Sequence, residues 1–187
     1  MLDFLAKCRG AGAARPAHFG AAPILLAGLG GFIAIGTLAF VSARLDVVLL
    51  LGSFGASCVL LFGYPDAPFA QPANVIGGHV ISTLIGLALL HGCGVHPWSL
   101  GLAVGGAIMA MMATRTVHPP AGSNPIIVFL TAPGWDFALF PTLFGALALV
   151  AAGWCYHRLR RQPYPLYWTG EEIPPIASQT PEYIGTE

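Results

Sequence analysis

The sequence predicts an all-α integral membrane protein with six transmembrane elements, and three observations carry that expectation. Of the 187 residues, 56% are hydrophobic and only 9% are charged, against about 25% charged in soluble domains. The mean hydropathy is +0.73. Apolar runs recur six times along the chain, and two of them, the second and the fifth, contain or open on turns rich in Gly, Ser or Pro. The formal net charge is zero, so there is no basic footprint for nucleic acid. The four cysteines, Cys8, Cys58, Cys93 and Cys155, are far apart and form no CxxC or Cys/His cluster. A disulfide framework, a metal site and a cofactor are therefore not expected.

Residues 1–22 are interrupted by Lys7, Arg9, Arg15 and Pro16. They suit a cytoplasmic segment ahead of a spanning helix rather than a cleaved signal. The first run, Pro23 to Val41, is long enough at about 1.5 Å per residue to cross a bilayer core of about 30 Å. The second is Val47–Gly63, the third Asn74–Leu90, the fourth Trp98–Thr114. A short fifth run, Ala121–Leu130, follows two prolines, and the sixth is Phe137–Tyr156. The membrane domain is thus expected over residues 23–157. Residues 158–187 read as a polar, proline-containing, mobile cytoplasmic tail.

The basic residues orient these runs. With six crossings and a cytoplasmic N-terminus, Lys7, Arg9, Arg15, Arg115, Arg158, Arg160 and Arg161 fall inside, and Arg44 alone falls outside. This asymmetry obeys the positive-inside rule. It predicts a multi-pass protein with both termini cytoplasmic, in a bacterial inner membrane. The fifth run is too short for an ordinary spanning helix. A broken helix lining a cavity resolves that conflict, the alternative being a re-entrant segment.

The two halves look related. Gly30-Gly31 match Gly105-Gly106, Ser57 matches Ser123, and Gly86 matches Gly145. Three elements per half would place the halves in opposite orientations, as inverted repeats with short or broken middle helices. Chance alignment of short Gly/Ala/Leu segments is the competing explanation.

Candidate site residues come from the polar positions inside these runs. Asn74, Gly78, Ser82 and Gly86 recur at steps of four, with His79 and Thr83 beside them. Small residues at this spacing serve close helix packing. Asn74 and His79 are costly in lipid unless they face a partner or a cavity, although a His near a helix end can also be interfacial. The turns GSFGAS (Ser53, Gly55, Ser57) and HPPAGSN (His118, Gly122, Ser123, Asn124) precede apolar runs. A helix starting there points unpaired N–H groups inward, which favours a small anion. For GSFGAS, an ordinary packed helix is the plain alternative. Arg115 lies three residues before His118, so helical continuation brings both onto one face. It attracts an anion there, or else marks the end of the fourth helix. Asp66 reads as a loop residue.

The segment TRTVHPPAGSNPIIVFL carries the His-Pro-Pro signature of the HPP family of integral membrane proteins. GSFGASCVLLFGYPDAPFAQPANVIGGHVISTLIGL resembles that family's other signature stretch. The resemblance covers most of residues 20–157. Ser123-Asn124-Pro125 departs from the small and Thr/Ala-type residues expected after HPPAG, and adds an amide to the candidate cavity. Some members of the family are implicated in nitrite transport, and others carry nucleotide-sensing CBS domains, which this chain is expected to lack. The resemblance implies a transporter or channel for a small inorganic anion, nitrite first. A structural or sensing membrane module is the alternative, followed by a membrane enzyme using His79 and His118. No carboxylate pair or Ser/His/Asp set supports an enzyme. The expected partners are the lipid bilayer, the anion and a second copy of the chain in a homo-oligomer.

Overall fold

The computed structural model describes residues 18–169, and all regular structure among them is helical. Six α-helices occur: α1 (Ala21–Leu45), α2 (Gly52–Cys58), α3 (Pro72–Cys93), α4 (Pro97–Ala113), α5 (Asn124–Thr131) and α6 (Phe144–Leu159). Three stretches are long and apolar enough to cross a membrane: Ala21–Leu45, Pro72–Cys93 and Trp135–Leu159. The last joins a 3-10 turn and a wider π-type turn to α6. The expectation of an all-α membrane protein with six helical elements, the middle ones short, is met.

The second run is not helical throughout. Asp46 adopts a left-handed conformation (φ 51°) and ends α1. The Ser42 hydroxyl then donates to the Val47 carbonyl, turning the chain back. Residues 47–51 return without helical structure, burying Leu49 and Leu51, and α2 begins only at Gly52. With its π-type continuation to Gly63 it has 12 residues, roughly 18 Å. Leu49 and Leu51 carry this non-helical backbone into the protein, whereas Val47 and Val48 stay exposed.

The fifth element is equally broken. α4 stops at Ala113, and Arg115 is left-handed (φ 57°). His118 is extended, as a residue preceding proline prefers. Pro119 and Pro120 open a 3-10 turn (Pro119–Ser123) that leads into α5; proline suits the first turn, where no N–H is needed. The expected helical continuation from Arg115 to His118 is therefore absent.

Contacts fix the course of the chain. Phe19 stacks edge-on against Tyr64. Both line one groove with Asp66, in the exposed turn after α2, and with Arg160 and Gln162 beyond α6. The two ends of the described chain thus lie at the same end of the bundle. Arg115, Arg158, Arg160 and Arg161 belong to that end, since the Arg115 carbonyl binds Asn74 near the start of α3. Arg44 lies at the other end, where α1 finishes. α3 is the central helix: half of its most apolar window is buried, against 17% for α1.

The sequence placed the end of the membrane domain at residue 157 and a mobile tail after it. α6 instead continues to Leu159, and the residues beyond it dock back on the bundle. The Tyr164 hydroxyl donates to the Ala70 carbonyl (2.9 Å), and the Leu166 N–H donates to Gln71 Oε1 (2.9 Å). The Tyr167 hydroxyl lies 3.2 Å from both the Pro68 carbonyl and Asn74 Oδ1. This strap covers the α2–α3 connection. Lys7, Arg9, Arg15 and Cys8, and the tail from residue 170 onward, lie outside the described residues.

Candidate functional site

The interior of an apolar bundle holds a knot of polar side chains. Ser53, Ser57, His79, Thr83, His118, Asn124 and Thr142 are at most 3% exposed. They come from α2, α3, the HPP turn, the start of α5 and the turn before α6. Polar groups so placed must find partners within the protein. Among the described residues, every buried side-chain nitrogen and oxygen has one.

Two glycines of α3 make the knot possible. A Cβ on Gly78 would lie 2.7 Å from His118 Cβ, and one on Gly86 would lie 3.0 Å from Pro125 Cα. Both are closer than a side chain tolerates, so glycine lets the HPP turn and α5 seat directly on α3. The small-residue stripe read in the sequence is a packing face, with Ser82 donating to the Ala121 carbonyl (2.5 Å).

The centre of the knot joins the starts of the two short helices. The Ser53 hydroxyl donates to Asn124 Oδ1 at 2.8 Å. Asn124 Nδ2 lies 3.0 Å from His79 Nδ1, 3.2 Å from the His79 carbonyl and 3.0 Å from Thr83 Oγ1. The carbonyl fixes the amide orientation, because only the nitrogen can face it. Thr83 Oγ1 in turn meets Thr142 Oγ1 at 3.2 Å. Ser57 Oγ lies 2.9 Å from His79 Nε2 and 2.8 Å from His118 Nε2. His118 Nδ1 donates to the Phe69 carbonyl at 2.7 Å. The ring of Phe54 meets His79 edge-on at a centroid distance of 5.0 Å, and the two imidazoles are 4.9 Å apart.

Of the ten residues singled out from the sequence, Ser53, Ser57, His79, His118 and Asn124 meet in this knot. Asn74 lies nearer the bundle end, donating to the Val117 carbonyl (2.9 Å) and holding the α4–α5 connection. Gly55 faces away, into a groove shared with Gly28, Gly31 and Cys58. The Ser123 hydroxyl is spent on the Pro120 carbonyl of its own turn (2.8 Å), and Gly122 beside it is half-buried. Arg115 is exposed at the bundle end. Sequence reasoning left out Thr142 and the Phe69 carbonyl. Thr142 had a signal: it precedes Gly145 by three residues, as Thr83 precedes Gly86. A backbone carbonyl leaves none.

The arrangement is neutral. Among the described residues no Asp, Glu, Lys or Arg is buried. The knot offers hydroxyl, amide and imidazole groups in a low-dielectric interior, where each hydrogen bond and each missing partner counts for more than in water.

Comparison with known proteins agrees with the signature residues. The family model for the HPP transmembrane region matches residues 16–165. Two transmembrane proteins of Dictyostelium discoideum are similar. One is 34% identical over 153 residues, covering 75% of this chain and 49% of its own. The other is 37% identical over 128 residues, covering 64% and 45%. The chain therefore spans about half the length of the curated relatives it matches. Both come from a eukaryote, so they lend no support to the expected bacterial inner membrane. No solved structure matches. The extent of the family match, with the HPP turn at the centre of the buried knot, places the chain in the HPP family of integral membrane proteins.

Proposed function

We propose that the protein moves a small inorganic anion across the membrane, nitrite being the first candidate, with the Ser53–Asn124 knot as the gate of the path. The observation that carries this reading is the meeting of two short helix starts inside the bundle. Helix N-termini and neutral O–H and N–H donors are what an anion needs when it leaves water, and they hold it weakly enough to let it go. The closed knot corresponds to an occluded state, in which the donors satisfy one another until an anion replaces a partner.

The two halves support an alternating mechanism. Thr83 and Thr142 occupy matching positions three residues before Gly86 and Gly145, and they touch each other. Gly86 abuts Pro125 at the start of α5, and a Cβ on Gly145 would collide with the ring of Phe54 at the start of α2. The Thr83–Thr142 contact pairs equivalent residues, as a two-fold axis in the membrane plane does, so we read the halves as inverted repeats. Arg115 and the Arg158–Arg161 cluster mark the cytoplasmic end by the positive-inside rule.

A second reading has an observation of its own: because the knot is fully paired, it serves equally as the structural lock of a membrane module without transport. Nitrite uptake into liposomes holding purified protein separates the two. Transport predicts uptake by the wild type and at least a tenfold loss in Ser53→Val and Asn124→Leu, with Ser123→Ala unaffected. If wild-type protein moves no nitrite, nitrate or chloride at any pH, the transport reading fails and the lock remains.

A further inference from the structure

The hydrogen-bond partners around the two histidines define a direction. The Phe69 carbonyl can only accept, so His118 carries its proton on Nδ1 and leaves Nε2 bare. Asn124 Nδ2 can only donate, so His79 leaves Nδ1 bare and carries its proton on Nε2. The single Ser57 proton has two acceptors in reach, the Ser53 carbonyl at 3.2 Å and His118 Nε2 at 2.8 Å, and only the second gives bare His118 Nε2 its donor. His79 Nε2–H donates to Ser57 Oγ, and Ser57 O–H donates to His118 Nε2. The tautomers are assigned from these partners, and no other neutral assignment satisfies all four contacts.

We propose that His79, Ser57 and His118 form a proton relay whose direction is locked to the position of α5, so that proton passage and rearrangement of the knot occur together. This deepens the transport reading: the anion would travel with a proton. The geometry supplies the coupling. The proton that travels with the anion binds His79 Nδ1 as the Asn124 N–H leaves it, and makes that ring an imidazolium. It passes its Nε2 proton to Ser57 Oγ as the Ser57 proton moves to His118 Nε2. His118, now the imidazolium, releases its Nδ1 proton past the Phe69 carbonyl to water at the exposed α2–α3 connection. One proton has entered and one has left, and both rings are neutral in the opposite tautomers. In that state His79 Nδ1–H faces the Asn124 N–H, and bare His118 Nδ1 faces the Phe69 carbonyl. Donor opposes donor and acceptor opposes acceptor. Asn124 at the head of α5 and Phe69 in the α2–α3 connection must therefore both shift, or the relay must run back.

No charged group competes for the proton. The pair is faced by Ser53 and Phe54 of α2, Ser82 and Thr83 of α3, Asn124 of α5 and the Phe69 carbonyl. α4 brings Met111 beside Gly78, the turn before α6 brings Thr142, and α6 itself brings Gly145 against Phe54.

The test is paired flux in liposomes with the membrane potential clamped. Nitrite uptake and internal pH are followed together in wild type, Ser57→Ala and Ser57→Thr, in light and heavy water. The expected result is a fixed proton-to-nitrite ratio, at least twofold slowing in heavy water, loss of proton movement in Ser57→Ala and retention in Ser57→Thr. If wild type moves nitrite without protons, or Ser57→Ala keeps the wild-type ratio, the relay is overturned and transport stands. If wild type moves no nitrite yet dissipates a pH gradient in a Ser57-dependent way, the relay stands and the transport reading falls. If it does neither, both fall. Imidazole nitrogen-15 spectra of wild-type protein decide independently of how Ser57→Ala folds: the relay requires one ring protonated at Nδ1 and the other at Nε2, and the same tautomer on both overturns it.

Discussion

Asn124 is the residue on which the knot depends most. It satisfies Ser53 through its oxygen and His79 and Thr83 through its nitrogen. Asn124→Ala leaves the Ser53 hydroxyl and His79 Nδ1 without partners, at about 1–3 kcal/mol for each orphaned group. Thermal unfolding in detergent should show a clearly lowered midpoint, whereas Ser123→Ala, whose hydroxyl bonds only within its own turn, should stay within about 1 kcal/mol of wild type. An equal effect of the two substitutions would mean that the amide is not the centre of the network. Part of this was legible in the sequence. Ser53, Ser57, His79, His118 and Asn124 were conspicuous because polar groups in apolar runs need partners. Arg115, Gly55 and Ser123 were equally conspicuous, yet they point elsewhere. A left-handed turn at Arg115, the far face of α2 and a local hydroxyl bond redirect them, and none of these is set by residue type alone.

At the scale of elements, helix length was readable and helix seating was not. Run lengths and the double proline foretold a short fifth helix. They did not foretell that residues 47–51 would enter the interior without helical structure, or that Tyr164 and Tyr167 would strap the α2–α3 connection across more than ninety residues of sequence. Two predictions belong here. Gly86→Leu should prevent α5 from seating, because even a Cβ would press on the Pro125 backbone. Overpacking of this kind costs about 1–3 kcal/mol or more, and the variant should lose its monodisperse peak in size-exclusion chromatography. Gly92→Ala, with open space around its Cβ position, should not. The strap should be pH-sensitive in one direction. Burial pushes the Tyr164 phenol above its ordinary value, so its docking is complete below the usual tyrosine range near pH ~10 and weakens as pH rises through the higher folded value. Burial raises Tyr167 as well, so ultraviolet titration should show both strap tyrosines appearing late, Tyr164 last, together with increased proteolysis after α6. Tyr164→Phe should abolish the last of these phenolates. A Tyr164 that titrates with the exposed tyrosines would mean that the strap is not docked.

At the scale of the whole molecule, the six apolar runs and the short middle elements were legible because hydropathy reports what a segment faces over its full length. The proposed pairing of the halves was only faintly so, because its strongest support is the contact between Thr83 and Thr142. Both ends of the described chain lie at one end of the bundle, with Phe19 and Arg160 on the same groove. The chain must then traverse the bundle an even number of times, and the fifth element must count as a traverse: α5 leads from the Ser82 level of α3 to the far end, where Trp135 stacks on His91. Single cysteines introduced into a cysteine-free background test this directly. Gly20→Cys and Gln162→Cys should react with a membrane-impermeant reagent from the same side, and exposed Val95→Cys from the opposite side only. By the basic-residue asymmetry, the first two should react from the cytoplasmic side. Labelling of positions 20 and 162 from opposite sides would make the number of traverses odd. The halves could then not be related by an in-plane two-fold axis, and the alternating mechanism would lose its geometric basis even if nitrite flux were found.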